Sequence, residues 1–357
     1  MSVRDFRNIR DVTLALSPKI NVISGDNGQG KTSLLEAVYF VATSRSFRAE
    51  RASEMKRQGS EATAVRARII EGGHAREQRA TLVGKERSVL VDGKRPDTLA
   101  AYATRTPVVV FHPGDLGILT GPASERRTLL DRVALFLDPA SGDHRARYSR
   151  ATQSRKAALA ERGAGAAELE PLERLMAQHG AALGRARAEA ARRLVEALLP
   201  AFVRMGAPGL ELVATFVPGG SLDENVLLAE LARRRETDLR RGMTTFGPHK
   251  DDLELTLDGR STRRHASQGQ QRITTLALKV AELDCVRAAR GAEPVLLLDD
   301  VSSELDPGRT GAVYEFLNET TSQVLATTTR PELFHLPGLA PSDRADFRVV
   351  EGALAPA

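Results

Sequence analysis

Hydrophobic and polar positions divide the chain into a strand-rich start, a helical middle and a mixed end. Short apolar or alternating runs in the first 110 residues predict five strands, at residues 12–16, 20–23, 65–70, 80–83 and 88–91. One helix is expected from about Lys31 to Ala42, and Asp92-Gly93 is typical of a turn. This part of the chain is therefore predicted to be β-rich around a single helix.

Helical spacing replaces alternation after Pro113. Residues 123–199 are rich in Ala, Leu, Arg and Glu, and their apolar positions recur every three or four residues. Gly163 and Gly165 interrupt this pattern, so we expect at least three helices. A strand at 210–216 and a charged helix at 224–241 follow.

Strand character returns after Gly242. An alternating run at 253–257 ends in the turn pair Asp258-Gly259, and a helix at 269–290 precedes an apolar strand at 295–298. This order predicts an α/β fold whose chain is interrupted by a mostly helical insertion. We expect the divided domain at residues 1–112 and 243–357, with the insertion at 113–242.

The composition is that of an ordinary globular protein. The 357 residues are 41% hydrophobic and 27% charged, which suits two domains or one domain with a large insertion. Cys285 is the single cysteine, so disulfide scaffolds and cysteine-based zinc sites are excluded. No apolar run approaches the length of a membrane span, and the N-terminus has no signal-type core. We therefore expect a cytoplasmic protein without a membrane partner.

A modest positive charge permits nucleic-acid binding without demonstrating it. Fifty-one Lys and Arg against 46 Asp and Glu give +5 and a pI of about 9.5, and most of the excess lies between Gly121 and Gly242. Aromatic residues are scarce, with no Trp, 4 Tyr and 11 Phe, so stacking of bases on aromatic side chains is disfavoured. If the chain binds nucleic acid, we expect contacts to phosphates.

A glycine-rich loop between the strand at 20–23 and the helix from Lys31 matches the phosphate-loop pattern. Its backbone N–H groups and the helix N-terminus can surround phosphates. Lys31 would reach the β- and γ-phosphates of ATP, and the Thr32 hydroxyl would bind Mg²⁺. The predicted nucleotide-binding residues here are Gly25, Asp26, Asn27, Gly28, Gln29, Gly30, Lys31, Thr32 and Ser33.

Two acids follow the apolar strand at 295–298. Four consecutive apolar residues suit a central strand covered on both faces. Asp299 would then lie beside the phosphate loop and hold Mg²⁺. Asp300 would orient or deprotonate the attacking water. We expect Asp300 and Lys31 to be the catalytic residues.

A second glycine-containing motif opens the helix near residue 269. Ser267-Gln268-Gly269-Gln270 resembles the signature sequence of ABC-type ATPases, which faces the γ-phosphate bound by a second subunit. A helix N-terminus with Ser and Gly amides is a ready anion site. Ser303-Glu304-Leu305-Asp306 resembles the D-loop of the same class. The resemblance therefore implies that Ser267, Gln268, Gly269, Gln270, Ser303 and Asp306 contact nucleotide held by a partner.

The spacing of the motifs narrows the class. Well over two hundred residues separate Lys31 from Ser267, whereas ABC transporter subunits keep these motifs much closer. The insertion is too short for the coiled coils of SMC-type chromosome proteins. Over its full length the chain resembles the RecF family of bacterial recombination mediators, through Phe6-Arg7-Asn8, Thr43-Ser44-Arg45-Ser46-Phe47-Arg48, Gly121-Pro122, Arg126-Arg127, Leu130-Asp131, Gly247-Pro248-His249-Lys250-Asp251-Asp252-Leu253 and Ala266-Ser267-Gln268-Gly269-Gln270-Gln271-Arg272.

This resemblance implies an ABC-type P-loop ATPase head with a helical arm. It implies a homodimer driven by ATP and Mg²⁺ that closes on DNA at single-strand gaps and assists RecA loading with RecO and RecR. Three departures from the wider ABC pattern imply a slow DNA-dependent ATPase. His112 is at best a weak substitute for the Q-loop glutamine, Thr327-Thr328-Thr329 occupies the switch-histidine position, and Asp300 replaces a Glu.

Candidate DNA contacts lie in both parts of the chain. In the head they are Arg45, Arg48 and Arg51, and in the arm Arg145, Arg147 and Arg150. The arm stretch continues through Arg155 and Lys156 and is also typical of a solvated helix face. His249-Lys250-Asp251-Asp252 is not expected to be a metal site, because four adjacent residues cannot all converge on one ion. The resemblance implies an architectural or interface role for this segment, with direct contact to phosphate or DNA as the alternative.

Two alternatives remain open at the level of sequence. One is a soluble ABC-type ATPase that does not act on DNA. The other is an ATP-binding structural adaptor in which Asp299, Asp300 and the D-loop have no activity. Measuring whether the protein associates with and without ATP, and with and without gapped duplex, would separate these two alternatives from a DNA clamp.

Overall fold

A computed structural model describes residues 1–49, 51–205, 209–300, 319–334 and 339–355. Its strands are β1 Ser2–Phe6, β2 Ile9–Thr13, β3 Ile20–Ser24, β4 Ala62–Glu71, β5 His74–Val83, β6 Glu86–Val91, β7 Val108–Phe111, β8 Leu212–Val217, β9 Asp252–Leu257, β10 Arg260–Ser261, β11 Val295–Asp299, β12 Val324–Thr328, β13 Arg344–Val350 and β14 Ala353–Ala355. Its α-helices are α1 Lys31–Thr43, α2 Leu99–Ala103, α3 Gly117–Thr120, α4 Ala123–Leu137, α5 Ala140–Arg162, α6 Leu169–Arg204, α7 Glu224–Arg233, α8 Arg235–Arg241, α9 Thr262–His265 and α10 Gln268–Arg290.

The described residues group into two compact units. The first comprises Met1–Asp115 and Arg290–Ala357, with a short piece at Arg204. The second comprises Leu116–Val203 and Ala207–Ala289. No helix of the described residues combines the length and the apolar character that crossing a membrane requires.

A six-stranded sheet organises the first unit, in the order β14-β13-β3-β12-β11-β7. All neighbouring pairs except the β13–β14 hairpin are parallel. Strands β3, β12 and β11 and the edge strand β7 are buried almost throughout, as their continuous apolar runs predict for a sheet covered on both faces. The carboxyl ends of β3, β12 and β11 therefore meet at one edge, where ligands bind in open α/β sheets.

An antiparallel sheet, β2-β1-β4-β5-β6, forms the second layer of this unit. Helix α1 packs against strands of both sheets and buries ten of its thirteen residues. A helix that is apolar nearly all round needs such cover on opposite sides. Its N-terminus is thereby fixed next to the edge where β3 ends.

The second unit combines long helices with a small antiparallel sheet, β10-β9-β8. Helix α4 packs on β9 and α5, and α5 packs on α8. Residues of α5, α6 and α7 form one apolar cluster, which includes Tyr148, Met176 and Leu227. The helix-rich character expected for the insertion is confirmed, with α4, α5 and α6 in place of the helices predicted over 123–199.

Two details differ from the expected organisation. The charged helix predicted at 224–241 is divided into α7 and α8, because the chain leaves helical geometry at Arg234. Residues 243–289, which we assigned to the divided domain, group instead with the helices, because β9 pairs with β8 along its full length.

The interpretation of Arg155 as part of a solvated helix face is wrong. Its side chain is fully buried and donates hydrogen bonds to Glu173, Asp238 and the Leu231 carbonyl, at 2.7–2.9 Å. The acids that pair with it lie far away in sequence. A local run of basic residues therefore could not show that this one is internal.

Candidate functional site

The loop predicted to bind phosphates connects β3 to α1, as the motif requires. Its last residue, Gly30, caps α1 in the left-handed region at φ 115°, a conformation that glycine adopts without steric cost. A Cβ atom there would lie 2.8 Å from the side-chain nitrogen of Asn8. The loop is therefore rich in glycine and is also packed closely against the segment that joins β1 to β2.

Lys31 is held inside its own loop. Its Nζ donates hydrogen bonds to the carbonyl oxygens of Gly25 at 2.6 Å and Asp26 at 2.9 Å. Burial lowers the pKa of Lys31, against the opposing effect of the Asp300, Asp299 and Asp26 carboxylates. The ammonium group thus lies at the centre of the loop, where a phosphate can replace its carbonyl partners.

Two threonine hydroxyls connect the loop to the acids at the end of β11. Thr32 Oγ1 donates to Asp299 Oδ1 at 2.7 Å, and Thr327 Oγ1 donates to the same oxygen at 2.8 Å. The backbone N–H of Asp300 donates to Thr327 Oγ1 at 3.0 Å. Since Thr327 lies opposite Asp299 in the β11–β12 pairing, its hydroxyl links both acids.

Thr32 and Asp299 provide the donor set that Mg²⁺ favours at phosphate sites. Magnesium binds there through one or two carboxylates together with substrate phosphates and water. The described residues contain no cluster of three His, Cys, Asp or Glu side chains that could hold a metal by themselves. A cation at this edge would therefore depend on the hydroxyl and the carboxylate jointly with phosphate oxygens.

A cavity of about 770 Å³ opens over these groups. That volume lies within the usual range for small-molecule sites. Its lining includes the expected Asn27, Gly28, Gly30, Lys31, Thr32, Ser33, Asp299 and Asp300, and also Thr327, Arg7, Asn8, Arg48, Glu54, Lys56, Arg57 and Gln58. Of the last eight, the sequence places Thr327 at the switch position and Arg48 among the DNA contacts. It predicts no role at the site for the other six, although Arg7 and Asn8 belong to the motif Phe6-Arg7-Asn8.

Glu36 organises the basic side of the cavity from inside α1. Its buried carboxylate accepts hydrogen bonds from Arg7 at 2.8 Å, Arg48 at 2.7 Å and Ser46 at 2.5 Å. Burial alone would raise the pKa of Glu36, but the bonds from Arg7, Ser46 and Arg48 outweigh it and lower that pKa. Glu36 is thus a charged anchor for two guanidinium groups.

Arg48 is a predicted DNA contact, and its guanidinium lies at this cavity; its contact with DNA stays a prediction. It is held by Glu36 and donates to Ser33 Oγ at 3.2 Å. Of the other candidates, Arg145 pairs with Asp131 at 3.3 Å and Arg147 with Asp143 at 2.7 Å. Arg45, Arg51 and Arg150 are exposed. For these residues, contact with DNA stays a prediction.

The signature-like motif begins α10 in the second unit. Ser267 Oγ accepts a hydrogen bond from the Gln270 N–H at 3.2 Å, and Gln270 Oε1 accepts one from the Ser267 N–H at 2.8 Å. This reciprocal pair is a capping box, which satisfies two donors of the first helical turn. Ser267 and Gln268 are exposed, and Gly269 is half-buried. The D-loop residues Ser303 and Asp306 lie outside the described residues.

His112 does not line the cavity among the described residues. Its backbone N–H donates to Asp115 Oδ2 at 2.8 Å, and its Nδ1 accepts from the Gly114 N–H at 3.1 Å. The ring packs on Phe47 with 5.2 Å between centroids. These contacts shape the turn after β7 and give no support to a Q-loop role.

The His249–Asp252 segment binds arginines of the second unit. Asp252 accepts two bonds from Arg126, at 2.6 and 3.0 Å, and Asp251 accepts one from Arg187 at 3.1 Å. His249 Nδ1 lies 2.7 Å from the Tyr148 hydroxyl. These contacts agree with the architectural role expected of this motif.

Comparison with known proteins identifies the family. The RecF/RecN/SMC N terminal domain model matches residues 1–337. The DNA replication and repair protein RecF of Anaeromyxobacter sp. (strain Fw109-5) is 39% identical over 366 residues, which cover 100% of this chain and 98% of the relative. The chain belongs to the RecF family. RecF of Myxococcus xanthus (strain DK1622) is 38% identical over 92% of this chain and 90% of the relative.

Solved structures agree with membership of the RecF family. The recombination mediator protein RecF-ATP in the RecFOR pathway has a TM-score of 0.85 and 26% identity, over 99% of this chain and 95% of that chain. The Smc head domain of Pyrococcus furiosus has a TM-score of 0.53 at 16% identity, over 99% and 94% of the two chains. The second likeness shows the fold alone, and the α/β fold of an ABC-type ATPase head is confirmed.

Proposed function

We propose that this chain is an ATP-dependent DNA-binding protein of replication and recombinational repair. In this proposal, ATP and Mg²⁺ drive two copies to close on DNA at single-strand gaps, where they assist RecA loading with RecO and RecR. Slow hydrolysis then reopens the dimer. The convergence of Lys31, Thr32, Asp299, Thr327 and Asp300 at one sheet edge carries the proposal. RecF relatives of nearly full coverage support the cellular role.

Each of the converging side chains has a distinct role in the proposed binding and hydrolysis of ATP. Lys31 exchanges the Gly25 and Asp26 carbonyls for phosphate oxygens, which repays part of the cost of its burial. Thr32 and Asp299 hold Mg²⁺, which neutralises phosphate charge when bound. Asp300 orients the attacking water and accepts its proton.

The signature helix supplies the contact that makes ATP a dimerising ligand. The exposed Ser267 hydroxyl and the first amides of α10 suit the γ-phosphate held by a second copy. ATP then binds the closed dimer more tightly than the open monomer, and this difference shifts the equilibrium towards closure.

Slow ATP turnover follows from two replacements, Thr327 for the switch histidine and Asp300 for the catalytic glutamate. Thr327 has no titratable proton near neutral pH, so it cannot exchange protons with water as a histidine does. Asp300 has a shorter side chain than Glu and a positive φ of 50°, which restricts how it presents its carboxylate. We expect far less than one turnover per second.

Sedimentation with and without ATP tests the dimer. The wild type should associate only with ATP, and Ser267→Ala should abolish that association. Asp223→Ala is the matched control, because Asp223 caps α7 by accepting the Val226 N–H at 3.0 Å. Both variants lose an N-cap worth roughly 1 kcal/mol, so only a phosphate role separates them. If both associate with ATP as the wild type does, the proposed contact is refuted.

A second experiment separates DNA action from the alternatives. Lys31→Arg should abolish hydrolysis and ATP-dependent retention on gapped duplex, because its planar guanidinium does not replace a point charge inside the loop. An ATP-dependent dimer that ignores DNA would indicate an ABC-type ATPase acting elsewhere. ATP binding with no hydrolysis, unchanged in Asp300→Asn, would indicate a structural adaptor.

A further inference from the structure

The phosphate loop is attached to the C-terminal hairpin through Gln29. The carbonyl oxygen of Gln29 accepts a hydrogen bond from the Gly352 N–H at 2.8 Å and from Asn8 Nδ2 at 3.1 Å. Its side-chain oxygen accepts a third from the Glu351 N–H at 2.6 Å. Glu351 and Gly352 form the turn between β13 and β14. Residues more than three hundred positions apart thus hold one peptide of the loop.

The orientation of that peptide decides what the loop can bind. In a trans peptide the carbonyl of Gln29 and the N–H of Gly30 point in opposite directions. Two donors on the Gln29 oxygen therefore keep the Gly30 N–H on the other side of the peptide plane. A flipped peptide would present an oxygen to the phosphates instead of a donor.

Close packing leaves little room for the peptide to turn. A Cβ at Gly352 would overlap the backbone oxygen of Asn8, and one at Gly30 would lie 2.8–2.9 Å from the Asn8 amide group. Asn8 therefore lies between the turn and the loop, and the rest of the residue is exposed and lines the cavity. The three segments form a single packed layer behind the phosphate loop.

We propose that Gln29, Asn8 and the Glu351–Gly352 turn act as a clamp that sets this loop for phosphate before nucleotide arrives. Gln29 and Asn8 are positioning residues, because they act through the Gly30 amide. The inference rests on the proposed binding of ATP to this loop. The last hairpin of the chain then contributes to nucleotide affinity without lining the cavity.

The hairpin glycines provide a matched pair of variants. Gly352 and Gly93 have the same φ of 76° in β-turns, but a Cβ at Gly93 meets nothing within 4 Å. Alanine should strain both turns equally, and only Gly352→Ala should displace Asn8 and the loop. We expect ATP affinity about tenfold weaker in Gly352→Ala, which corresponds to the loss of one hydrogen bond, and unchanged in Gly93→Ala.

Gln29→Met tests the clamp without a change at the turn. It keeps the side-chain length and replaces the terminal amide, whose oxygen accepts from the Glu351 N–H. We expect an unchanged melting temperature without ATP and a smaller rise when ATP is added, because ligand stabilisation depends on affinity. A purely structural role would instead lower the melting temperature without ATP and leave the rise intact.

The outcomes separate this inference from the proposed function. No ATP binding by the wild type and by Gly93→Ala would refute the proposed function. Normal ATP binding by those two proteins, with wild-type affinity and a wild-type ATP-induced rise in Gln29→Met, would overturn the clamp. The second result decides even if Gly352→Ala does not fold.

Discussion

Thr327 lies near the end of β12, at the position where many ABC-type ATPases have a histidine. Its hydroxyl donates to the Asp299 carboxylate and accepts from the Asp300 N–H, so it orients both acids at once. The residue is fully buried. What looks from sequence like the loss of a catalytic group is therefore a fixed support for Asp299, the carboxylate that we propose holds Mg²⁺.

Removal of this hydroxyl should weaken the metal site more than the fold. Thr327→Val keeps the shape and leaves one buried amide without its acceptor, at a cost of about 1–3 kcal/mol. Loss of a group that orients a metal ligand typically costs about 10- to 100-fold in metal affinity or activity. Mg²⁺ titration of ATP hydrolysis should show that loss in Thr327→Val, while Thr327→Ser stays near wild type. Equal Mg²⁺ dependence in all three proteins would remove Thr327 from the site.

Individual residues were predictable where their role depends on neighbours in sequence. The sequence shows a strand before the loop from Gly25 to Thr32 and a helix after it. It also shows a strand directly before Asp299 and Asp300, so both motifs could be placed from their neighbours. Arg7 and Arg48 were not assigned to the cavity, because the carboxylate that holds them belongs to Glu36 in the next helix. A buried ion pair has no signature until the fold brings its partners together.

Helix α10 carries the signature motif and is tied to α4 inside the second unit. Arg132 on α4 donates to the buried Glu282 carboxylate at 2.6 and 3.2 Å, and Lys279 donates to it from the preceding turn. Burial alone would raise the pKa of Glu282, but Arg132 and Lys279 lower it to about 2. The position of the signature helix therefore depends on one ionised carboxylate.

This depressed pKa predicts acid sensitivity. Above about pH 4.5, Glu282 is ionised in both states and the ion pair contributes fully. As the pH falls from 4.5 towards 2, the unfolded chain takes up a proton first, so that contribution is lost. Glu282→Gln should cost roughly 3 kcal/mol of unfolding free energy at neutral pH, as expected for a broken buried pair.

Denaturant unfolding of both proteins across this range measures the effect. The difference in unfolding free energy between wild type and Glu282→Gln should shrink as the pH falls below 4.5. A constant difference from pH 6 to pH 2 would show that the Glu282 pKa is not depressed. The same data report on the anchoring of α10, because the described ion pairs of Glu282 join α10 to α4 within the second unit.

The positions of whole strands and helices were predicted better than the pairing between them. The strands β3, β9 and β11 and the helices α1 and α10 lie within a few residues of the expected positions, because apolar runs and helical spacing are local signals. The hairpin β13–β14 and its contact with Gln29 were missed. Strand β13 pairs with β3, and the turn after it contacts Gln29, so these contacts join the two ends of the chain. Pairing over such a distance leaves no periodicity in either segment.

The net charge of +5 gains a more specific meaning in the folded molecule. Arg48, Arg145, Arg155 and Arg187 all bind carboxylates within their own units. These side chains support the fold or the cavity, so they add little to attraction of DNA. Among the candidates, we compare the exposed Arg45 and Arg51 on the head with Arg147 and Arg150 on the arm. Arg147 also pairs with Asp143, but both side chains of that pair are exposed, and such pairs contribute little.

ATP-gated DNA binding should depend on the head pair. Arg45 and Arg51 flank Arg48, which lines the cavity, and Arg51 precedes the segment 54–58 that lines it too. Contacts can respond to ATP only if they differ between the ATP-bound and ATP-free states. Arg147 and Arg150 lie on α5, and neither is among the described residues that line the cavity.

Salt titrations of DNA binding by two double variants test this assignment. Each phosphate contact adds close to 1 to the slope of log affinity against log salt, so losing two should lower the slope by about 2. We expect that loss in Arg45→Ala/Arg51→Ala with ATP, and no change without it. Arg147→Ala/Arg150→Ala should change the slope equally with and without ATP, because the arm contacts do not depend on nucleotide. If the Arg45→Ala/Arg51→Ala variant keeps the full wild-type slope with ATP, the ATP-dependent phosphate contacts are made by other residues.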